Sequence, residues 1–398
     1  MQINSPVLFV EINNFEYVFV AGDKLENDQF NFLFSQKVPL AGVSDKRFTD
    51  LNLAIKIIKE NIYFIEKKID CIFKDVILII DNFDCSLINF SGFKKLNGSK
   101  LEKDNITYIL NSLKSKILEI ENSKTILHIL NSKYILDKKE INNLPIGLFG
   151  NFYSQEMSFF LVDSNQLKNL KHVFDKCNLR VKKLISKNFL LGTKIVNDHN
   201  ELETFFKIEI FEDSIDIIFF ENSALRFFQK FTFGTNLIVS DISKVIALKN
   251  EIVKNILLKS SFSKDNIKND FIEEEFFNSQ NFRKIKKKLI CDIATARIQE
   301  FAEITVFKNI NLKSFLKINS KFFLKINDAP NIKCFENIYR NSFSNNNLYE
   351  LNLLTNYAQH EIYENAFNLV QYGWKKEAVP IVQEKKSIIK RFFDLFFN

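Results

Sequence analysis

The stretch VLFVEINNFEYVFVAG (residues 7–22) contains two apolar runs on either side of the polar pair Asn13-Asn14. Apolar runs of this length are typical of strands, and asparagine accepts the positive φ of a tight turn, so the stretch predicts a β-hairpin. The stretch FFKIEIFEDSIDIIFFENSALRFFQKF (residues 205–231) repeats the plan of strand, polar turn and strand. The two copies carry a carboxylate at Glu11 and at Glu209. A hairpin that opens each half of the chain predicts two related α/β lobes.

The segments between and after the hairpins predict helices and further strands. Residues 48–69 (FTDLNLAIKIIKENIYFIEKKI) have apolar residues near helical spacing, and residues 75–82 (DVILIIDN) are typical of a buried strand. Residues 83–162 form a unit with its own strands and one helix at 103–120, for which Asp104 is the predicted N-cap. The region 243–309 is predicted to be mostly helical, residues 321–328 a strand, and residues 345–374 to end in a helix.

Composition excludes several classes of protein. The longest purely aliphatic run, VILII at residues 76–80, is far too short to span a bilayer, and the N-terminus lacks the basic start and cleavage site of a secretory signal. The five cysteines and four histidines are dispersed, which fits a reduced interior and argues against a zinc site. The net charge is +7, but no basic stretch is interleaved with aromatic residues, so we expect no nucleic-acid partner. A mildly basic protein beside an anionic membrane surface accounts for this net charge at least as well as a nucleic-acid-binding protein does.

Glycine is scarce in this chain. The nine glycines include no adjacent pair and no G-x-G, and the closest two are Gly147 and Gly150. Loops that cradle phosphates need glycine, because the backbone must turn sharply and approach the phosphate without an intervening side chain. The count therefore argues against an efficient nucleotide enzyme.

The chain ends in KSIIKRFFDLFFN (residues 386–398). On a helix of 100° per residue, this stretch places its large apolar residues on one arc and Lys390 and Arg391 on the other side. One interpretation is a helix that docks on its own domain, and the other is a helix that lies in a membrane interface. The predicted membrane-binding residues are Ile388, Ile389, Phe392, Phe393, Phe396 and Phe397 with Lys390 and Arg391.

The order of these parts resembles the bacterial FtsA family of cell-division proteins, which are actin-fold membrane tethers. The similarity rests on the first hairpin, on TILHILNSKYILDKKEINNLPIGLFG (125–150), on the second hairpin and its sequel through residue 243, on NAFNLVQYGW (365–374), and on the apolar tail. The resemblance implies an α/β fold of the actin, Hsp70 and sugar-kinase superfamily. That fold has two lobes, an inserted FtsA-type subdomain and a C-terminal amphipathic helix.

The resemblance also implies a division of the chain. The first lobe comprises residues 1–82, 164–202 and the closing helix 358–375, with the inserted subdomain at 83–163. The second lobe comprises a core at 203–242 and 311–357 with an outer subdomain at 243–310. A linker at 376–384 leads to the membrane-targeting helix at 385–398.

Three turns hold nucleotide in that family, and here all three depart from its glycine-rich pattern. They correspond to Asn13-Asn14-Phe15, to Phe211-Glu212-Asp213 and to Ile326-Asn327. ATP with Mg²⁺ is the cofactor that the resemblance implies, but side chains replace glycine at each turn. Glu212 and Asp213 would also bring carboxylates close to phosphates, which is unfavourable without a metal ion. We therefore expect a degenerate nucleotide cleft with no confident cofactor.

Three further carboxylates lie near these turns, at Glu11, Glu209 and Asp216. They would suit a divalent ion, and the alternative is that they are turn residues facing solvent. No catalytic residue or general base sits in a recognisable motif.

The resemblance implies a non-enzymatic adaptor at the cytoplasmic face of the inner membrane, at the division septum. Its partners would be anionic lipids, the C-terminal peptide of the tubulin-like polymer FtsZ, downstream divisome proteins and further copies of itself in actin-like filaments. The FtsZ peptide would dock on residues 243–310, where Arg283 and Arg297 lie on a predicted basic helix and would pair with its carboxylates. Two alternatives remain: an ATP-hydrolysing or sugar-kinase-like enzyme of the same fold, and a PilM-like platform protein of pilus assembly.

Overall fold

The structure is a computed structural model that describes residues 6–13, 15–25, 29–44, 47–81, 85–260, 262, 270–277 and 283–378. The chain divides into two compact units. The first unit extends to residue 201 and includes residues 222–226 and the described residues from 357 onward. The second unit comprises residues 202–221 and 227–356.

The described residues form sixteen strands and nine α-helices. The strands are β1 Val7–Ile12, β2 Glu16–Lys24, β3 Phe30–Pro39, β4 Val43–Ser44, β5 Arg47–Phe48, β6 Asp75–Ile80, β7 Cys85–Lys95, β8 Lys124–Leu136, β9 Lys139–Ile141, β10 Phe152–Asp163, β11 Arg180–Ser186, β12 Phe205–Ile210, β13 Ile215–Glu221, β14 Ala224–Phe231, β15 Lys321–Ile326 and β16 Glu350–Leu353. The helices are α1 Leu51–Ile69, α2 Lys103–Ile120, α3 Ser164–Lys176, α4 Lys187–Asp198, α5 Asn236–Ile246, α6 Asn250–Lys259, α7 Lys287–Ala302, α8 Ala329–Phe343 and α9 Gln359–Tyr372. A short 3₁₀-helix spans Glu274–Phe277, and a π-helical turn, Glu303–Phe307, continues α7.

The first predicted hairpin is confirmed. Strands β1 and β2 pair antiparallel from Val7 opposite Gly22 to Ile12 opposite Tyr17. They belong to a five-stranded sheet of order β3-β2-β1-β6-β11, in which β1, β6 and β11 run parallel. Strands β1 and β6 are buried almost throughout, because a parallel sheet is covered on both faces.

The second hairpin is also confirmed, and its sheet has the same topology. Strands β12 and β13 pair antiparallel from Phe205 opposite Phe220 to Ile210 opposite Ile215. The strand order is β14-β13-β12-β15-β16, with β12, β15 and β16 parallel. A meander followed by two parallel strands therefore occurs in both sheets, as the repeated hairpin predicts.

The long helix predicted after the first hairpin is confirmed as α1. The carboxylate of its N-cap, Asp50, accepts a hydrogen bond from the amide of Leu53 at 3.0 Å, which satisfies an otherwise unpaired amide. Its buried face consists of Ala54, Ile58, Ile62 and Ile65.

The predicted unit after β6 is a four-stranded sheet of order β7-β10-β8-β9 with α2 packed on one face. The prediction that Asp104 caps α2 is wrong. The N-cap is Glu102, whose amide donates to the side-chain oxygen of Asn105 at 2.9 Å, and Asp104 lies in the first turn. The core between sheet and helix includes Leu113, Ile117 and Met157.

The core of the second unit is built on phenylalanine. The ring of Phe206 stacks on Phe219 at 4.4 Å and on Phe322 at 5.1 Å between centroids. Helices α5, α6 and α7 complete this core mainly with aliphatic side chains, and α8 adds Phe335, Tyr339 and Phe343. None of the helices in the described ranges combines the length and apolarity needed to cross a membrane.

Candidate functional site: the two hairpin turns

The first hairpin turn connects Ile12 to Tyr17. The side-chain oxygen of Asn13 accepts hydrogen bonds from the amides of Phe15 and Glu16, both at 2.9 Å, so a side chain closes the turn where a glycine-rich turn would use backbone alone. Phe15 is 80% exposed. Asn14 lies outside the described residues.

Glu11 stands at the end of β1, next to this turn, and is buried. Its carboxylate accepts a hydrogen bond from Lys187 Nζ at 2.7 Å and from the hydroxyl of Tyr363 at 3.2 Å. The same ammonium lies 3.4 Å from Asp81, the residue after β6. Burial, with the Glu11 carboxylate beside it, raises the pKa of Tyr363 well above its ordinary value. The Glu11 carboxylate is therefore held by donors from α4 and α9.

The second turn, residues 211–214, is fixed against the start of α5. The amides of Thr235 and Asn236 donate to the carbonyl oxygens of Phe211 and Glu212, both at 3.0 Å. A Cβ on Gly234 would lie 2.1 Å from the carbonyl oxygen of Phe211, so glycine is required here for two backbone segments of this unit to approach.

The two carboxylates of this turn have partners within the second unit. Glu212 pairs with Lys254 of α6 at 3.2 Å, and both side chains are about half exposed. Asp213 accepts a hydrogen bond from the side-chain amide of Asn236 at 2.7 Å. Both contacts brace the turn against neighbouring helices.

Glu209 occupies in β12 the place that Glu11 occupies in β1, and it is also buried. Its carboxylate pairs with Lys207, with Lys325 at 3.0 Å, and with the side-chain amide of Asn327 at 2.8 Å. Burial alone would raise the pKa of Glu209, but the two lysines and these hydrogen bonds outweigh it and hold the pKa well below the ordinary value. Glu209 is thus ionised in the folded chain.

Asn327, predicted to lie on the adenosine side, follows β15 and also contacts the second hairpin. Its amide donates to the carbonyl oxygen of Ile210 at 2.7 Å. The next residue, Asp328, caps α8: its carboxylate accepts hydrogen bonds from the amide of Asn331 at 3.1 Å and the hydroxyl of Thr235 at 2.5 Å. An internal carboxylate therefore occupies the N-terminus of this helix, the kind of place where phosphates bind.

The alternative that Glu11, Glu209 and Asp216 face solvent is wrong, because all three are buried. Each has a lysine nearby, and Asp216 lies 3.6 Å from Lys230. Across the part of the chain that the structure describes, no three His, Cys, Asp or Glu side chains group in a way that would hold a metal ion.

A pocket of about 530 Å³ lies in the second unit beside the second turn. Its wall includes Glu212, Glu251, Lys254, Asn327, Asp328 and Asn331. The side-chain oxygen of Asn331 is buried and has no hydrogen-bond partner among the described residues. Carboxylates outnumber the ammonium groups in this set.

Arg283 is not on the predicted basic helix, because α7 begins at Lys287. Its guanidinium donates to the carbonyl oxygens of Ile246 and Ala247, at 3.0 and 2.9 Å, at the C-terminal end of α5. Arg297 does lie on α7, where it pairs with Asp241 of α5 and with Glu300, both at 2.5 Å. The structure thus brings both arginines to the same helix, α5.

The predicted membrane-binding residues of the tail lie outside the described residues. Sequence reasoning missed four residues that hold the buried carboxylates: Lys187, Lys207, Lys325 and Tyr363. A lysine inside an apolar strand, as in FFKIEI and KFFLKI, was the available signal for two of them.

The chain is similar in sequence to the cell division protein FtsA of several bacteria. It is 24% identical to FtsA of Buchnera aphidicola subsp. Schizaphis graminum over 238 residues, and 20% identical to FtsA of Escherichia coli strain K12 over 237 residues. Each match covers 60% of this chain and 56% of the relative, so the chain spans little more than half the length of the curated relatives it matches. The resemblance predicted from motif order is confirmed. No protein-family model matches the chain.

Among solved structures, a chain of the PilM-PilN type IV pilus biogenesis complex aligns with a TM-score of 0.54 at 10% identity, covering 94% of this chain and 99% of that one. MreB5 of Spiroplasma citri bound to AMPPNP aligns with a TM-score of 0.45 at 10% identity, covering 93% and 97%. The predicted actin-like α/β fold is confirmed. At this identity the structural likeness concerns the fold alone.

Proposed function

We propose that this chain, given its similarity to FtsA, is an actin-like cell-division adaptor that links the FtsZ polymer to the inner membrane at the septum. The observation that carries the proposal is the match to FtsA proteins over 60% of the chain, on an actin-like fold. The adaptor acts by binding and self-assembly, recruits downstream divisome proteins, and performs no catalysis.

The membrane end of the tether is the tail at 385–398. Its apolar residues would enter the interface, where each fully buried side chain contributes roughly 1.5–3 kcal/mol and partial insertion gives less. Lys385, Lys386, Lys390 and Arg391 each add about 1 kcal/mol beside anionic lipid. Such a helix binds reversibly, and assembly into filaments strengthens the attachment through multivalency.

The polymer end of the tether is the part of the second unit around α5 and α7. Arg283 and Arg297 both contact α5, and a guanidinium has five N–H donors, so each arginine retains donors beyond its internal bonds. An acidic peptide would pair with them at the surface of residues 243–310. Since Arg283 also caps α5, peptide binding and local stability are coupled there.

We infer that the nucleotide cleft is degenerate. Glu11 and Glu209 are neutralised by lysines of the chain, and Glu212 and Asp213 stand at the turn where phosphate oxygens would need donors. The N-terminus of α8 is capped by Asp328. These residues do not fit a triphosphate with its Mg²⁺.

One observation favours a ligand-binding alternative. The pocket beside the second turn has room for a small molecule, and the buried Asn331 side-chain oxygen has no partner among the described residues. On this alternative the chain is an ATP-binding protein of the same fold, and the mainly acidic lining of the pocket argues against a triphosphate there. A PilM-like platform protein is the other alternative, since the fold is shared.

Co-sedimentation with vesicles of phosphatidylethanolamine and phosphatidylglycerol tests the proposal. The parent protein should sediment with the vesicles and bring FtsZ with it, whereas Phe392→Glu with Phe396→Glu should stay in solution. Ile310→Glu with Ile318→Glu is the charge-matched control, because both residues are highly exposed in the second unit. A tail variant that sediments like the parent would mean that the tail docks on its own domain.

The polymer contact is tested by fluorescence anisotropy with the FtsZ C-terminal peptide. Arg283→Glu should weaken peptide binding and leave vesicle binding intact, and Lys288→Glu on α7 is the control of equal charge change. A urea midpoint for each variant separates lost peptide contacts from a loosened α5. Unchanged peptide affinity would remove Arg283 from the interface.

A further inference from the structure

The inserted subdomain carries an exposed apolar loop, residues 144–149, in the sequence LPIGLF. Leu144, Ile146, Leu148 and Phe149 all project into solvent, and Phe149 is 72% exposed. Immediately after the loop, Phe152 stacks on Phe93 at 5.6 Å between ring centroids, and this pair extends the apolar surface. Exposed apolar side chains grouped in this way mark a surface that meets a partner.

The backbone of the apolar loop is held in place although its side chains are exposed. The amide of Gly147 donates to the carbonyl oxygen of Leu101 at 2.8 Å, and the amide of Leu101 donates to that of Leu148 at 2.8 Å. The amide of Ile146 donates to the carbonyl oxygen of Leu144 at 2.9 Å, and Pro145 is buried beneath the loop. Backbone groups that already have partners can enter an apolar phase at less cost than free ones.

The charges around the loop are mainly positive. Residues 93–102 and 137–152 contain five lysines and three carboxylates. The carboxylates have partners: Glu102 pairs with Lys100 at 3.5 Å, Asp137 accepts from the amides of Asn151 and Phe152, and Glu140 accepts from Asn222. Apolar side chains within a basic surrounding suit an anionic lipid surface, where the apolar groups enter the interface and the lysines meet the headgroups.

The end of the described chain lies on the same subdomain. The amide of Asn131 donates to the carbonyl oxygen of Lys376 at 2.8 Å, and the amide of Ala378 donates to that of Ile129 at 2.7 Å, so residues 376–378 pair with β8. Lys376 Nζ donates at 3.4 Å to the carbonyl oxygen of Asn142, two residues before the apolar loop. Glu377 contacts the buried His128 at 3.3 Å, which fixes this pairing further.

We propose that the apolar loop is a second membrane contact, which inserts into the interface of an anionic bilayer and lies on the subdomain from which the chain leaves toward its tail. This inference rests on the proposed membrane role of the tail. Only residues 379–384 of the linker separate the pairing with β8 from the predicted tail helix, and six residues reach at most about 20 Å, so a membrane-bound tail keeps the inserted subdomain close to the lipid. Two contacts of modest affinity then act together and also orient the subdomain on the membrane.

The test uses the full chain and vesicles of phosphatidylethanolamine and phosphatidylglycerol. Leu148→Ser with Phe149→Ser should weaken vesicle binding about tenfold, which corresponds to about 1.4 kcal/mol. The matched control is Ile310→Ser with Ile318→Ser, which removes two exposed apolar side chains from the second unit and should bind within about twofold of the parent. A loop variant that binds as tightly as this control overturns the proposal and leaves the tail proposal intact.

A tryptophan placed at the loop locates the contact. Phe149→Trp should gain emission that brominated lipids quench, while Ile310→Trp should not be quenched. If Phe149→Trp sediments with vesicles and stays unquenched, the loop does not enter the lipid. If its emission shifts with protein concentration in the absence of lipid, a second copy of the chain covers the loop and the proposal is wrong. If the parent protein binds no vesicles at all, the tail proposal fails first.

Discussion

The buried cluster around Glu209 predicts a specific pattern of stability changes. The side chains of Lys207 and Glu209 are only 4% and 9% exposed, whereas Lys325 is 21% exposed and reaches the same carboxylate at 3.0 Å. Glu209→Leu should cost about 3–5 kcal/mol of unfolding free energy, because it leaves the ammonium of Lys207 buried without a carboxylate. Lys207→Met should cost less, about 1.5–3 kcal/mol, because Glu209 keeps Lys325 and Asn327 as partners.

The double variant Lys207→Met with Glu209→Leu should recover most of the loss, since an apolar pair of similar volume replaces a buried ion pair at little cost. Lys325 is exposed enough to reach water in that variant. Urea unfolding followed by circular dichroism measures the unfolding free energy of the parent, the two single variants and the double variant. The comparison holds when the slope of that free energy against urea concentration is the same in all four proteins. A cost below about 1 kcal/mol for Glu209→Leu, or a double variant as unstable as the sum of the single ones, would refute the reasoning.

The same cluster predicts a dependence on pH. The pKa of Glu209 in the folded chain lies below its ordinary value of 4.5, so the folded state binds fewer protons than the unfolded state near that pH. The stability it contributes is therefore complete above pH 4.5 and is lost as the pH falls below that value toward the folded pKa. Between neutral pH and about pH 3, the parent should lose more unfolding free energy than Glu209→Gln. Parallel losses in the two proteins would contradict the assignment.

Two further predictions concern the turns. Gly234→Ala should destabilise the chain by about 1–3 kcal/mol, because the new Cβ meets the backbone oxygen of Phe211. Gly150→Ala should cost less, because the atom nearest to its new Cβ is Cδ1 at the end of the Leu136 side chain. Urea midpoints compare the two variants, and equal costs would contradict the requirement for glycine at the second turn. If the proposed nucleotide cleft is degenerate, isothermal titration with ATP and Mg²⁺ should give no low-micromolar binding, because carboxylates and internal ion pairs stand at the turns where the FtsA resemblance predicts the phosphates. Low-micromolar binding would reinstate the nucleotide-regulated alternative.

Much of the fold could be predicted from local pattern. The apolar runs of residues 7–22 and 205–231 predict both hairpins because a strand buried on both faces needs only an unbroken apolar run and a turn. Helix α1 follows from the spacing of its isoleucines. These features depend on neighbours a few residues apart, so one sequence suffices to find them.

Helix starts were harder to predict, because tertiary contacts select among similar residues. Both Glu102 and Asp104 are plausible N-caps of α2, but the chain enters the helix from Leu101, whose amide is bonded to the carbonyl oxygen of Leu148. Helix α7 was expected to include Arg283, yet the amide of Lys287 donates to Asp270, and Lys286 pairs with Phe271 as a β-bridge. The residues before Lys287 therefore follow a neighbouring segment rather than the helix.

The ion pairs of the site could not be predicted, because they join distant parts of the chain. Lys187 reaches Glu11 across 176 residues, and Lys325 reaches Glu209 across a parallel strand pair. A carboxylate beside a polar turn fits a metal ligand and a solvated residue equally well in sequence. Only the structure shows that a lysine ammonium lies against each carboxylate, and that contact distinguishes a buried, paired carboxylate from a metal ligand or a solvated residue.

The two sheets share a topology, but they neutralise their carboxylates in different ways. One backbone hydrogen bond occurs in both units. The amide of Asp81, after β6, donates to the carbonyl oxygen of Ile12, and the amide of Asn327, after β15, donates to that of Ile210. The cation for Glu11 comes from the start of α4, whereas the cations for Glu209 come from the strands themselves. Each carboxylate thus has a lysine ammonium within its own unit, and Glu11 shares that of Lys187 with Asp81. If the proposed cleft binds no nucleotide, the proposed adaptor would be regulated through its lipid and protein contacts. Attachment at two points of a membrane, through the tail and the apolar loop, is a physical means of ordering a protein that no nucleotide orders.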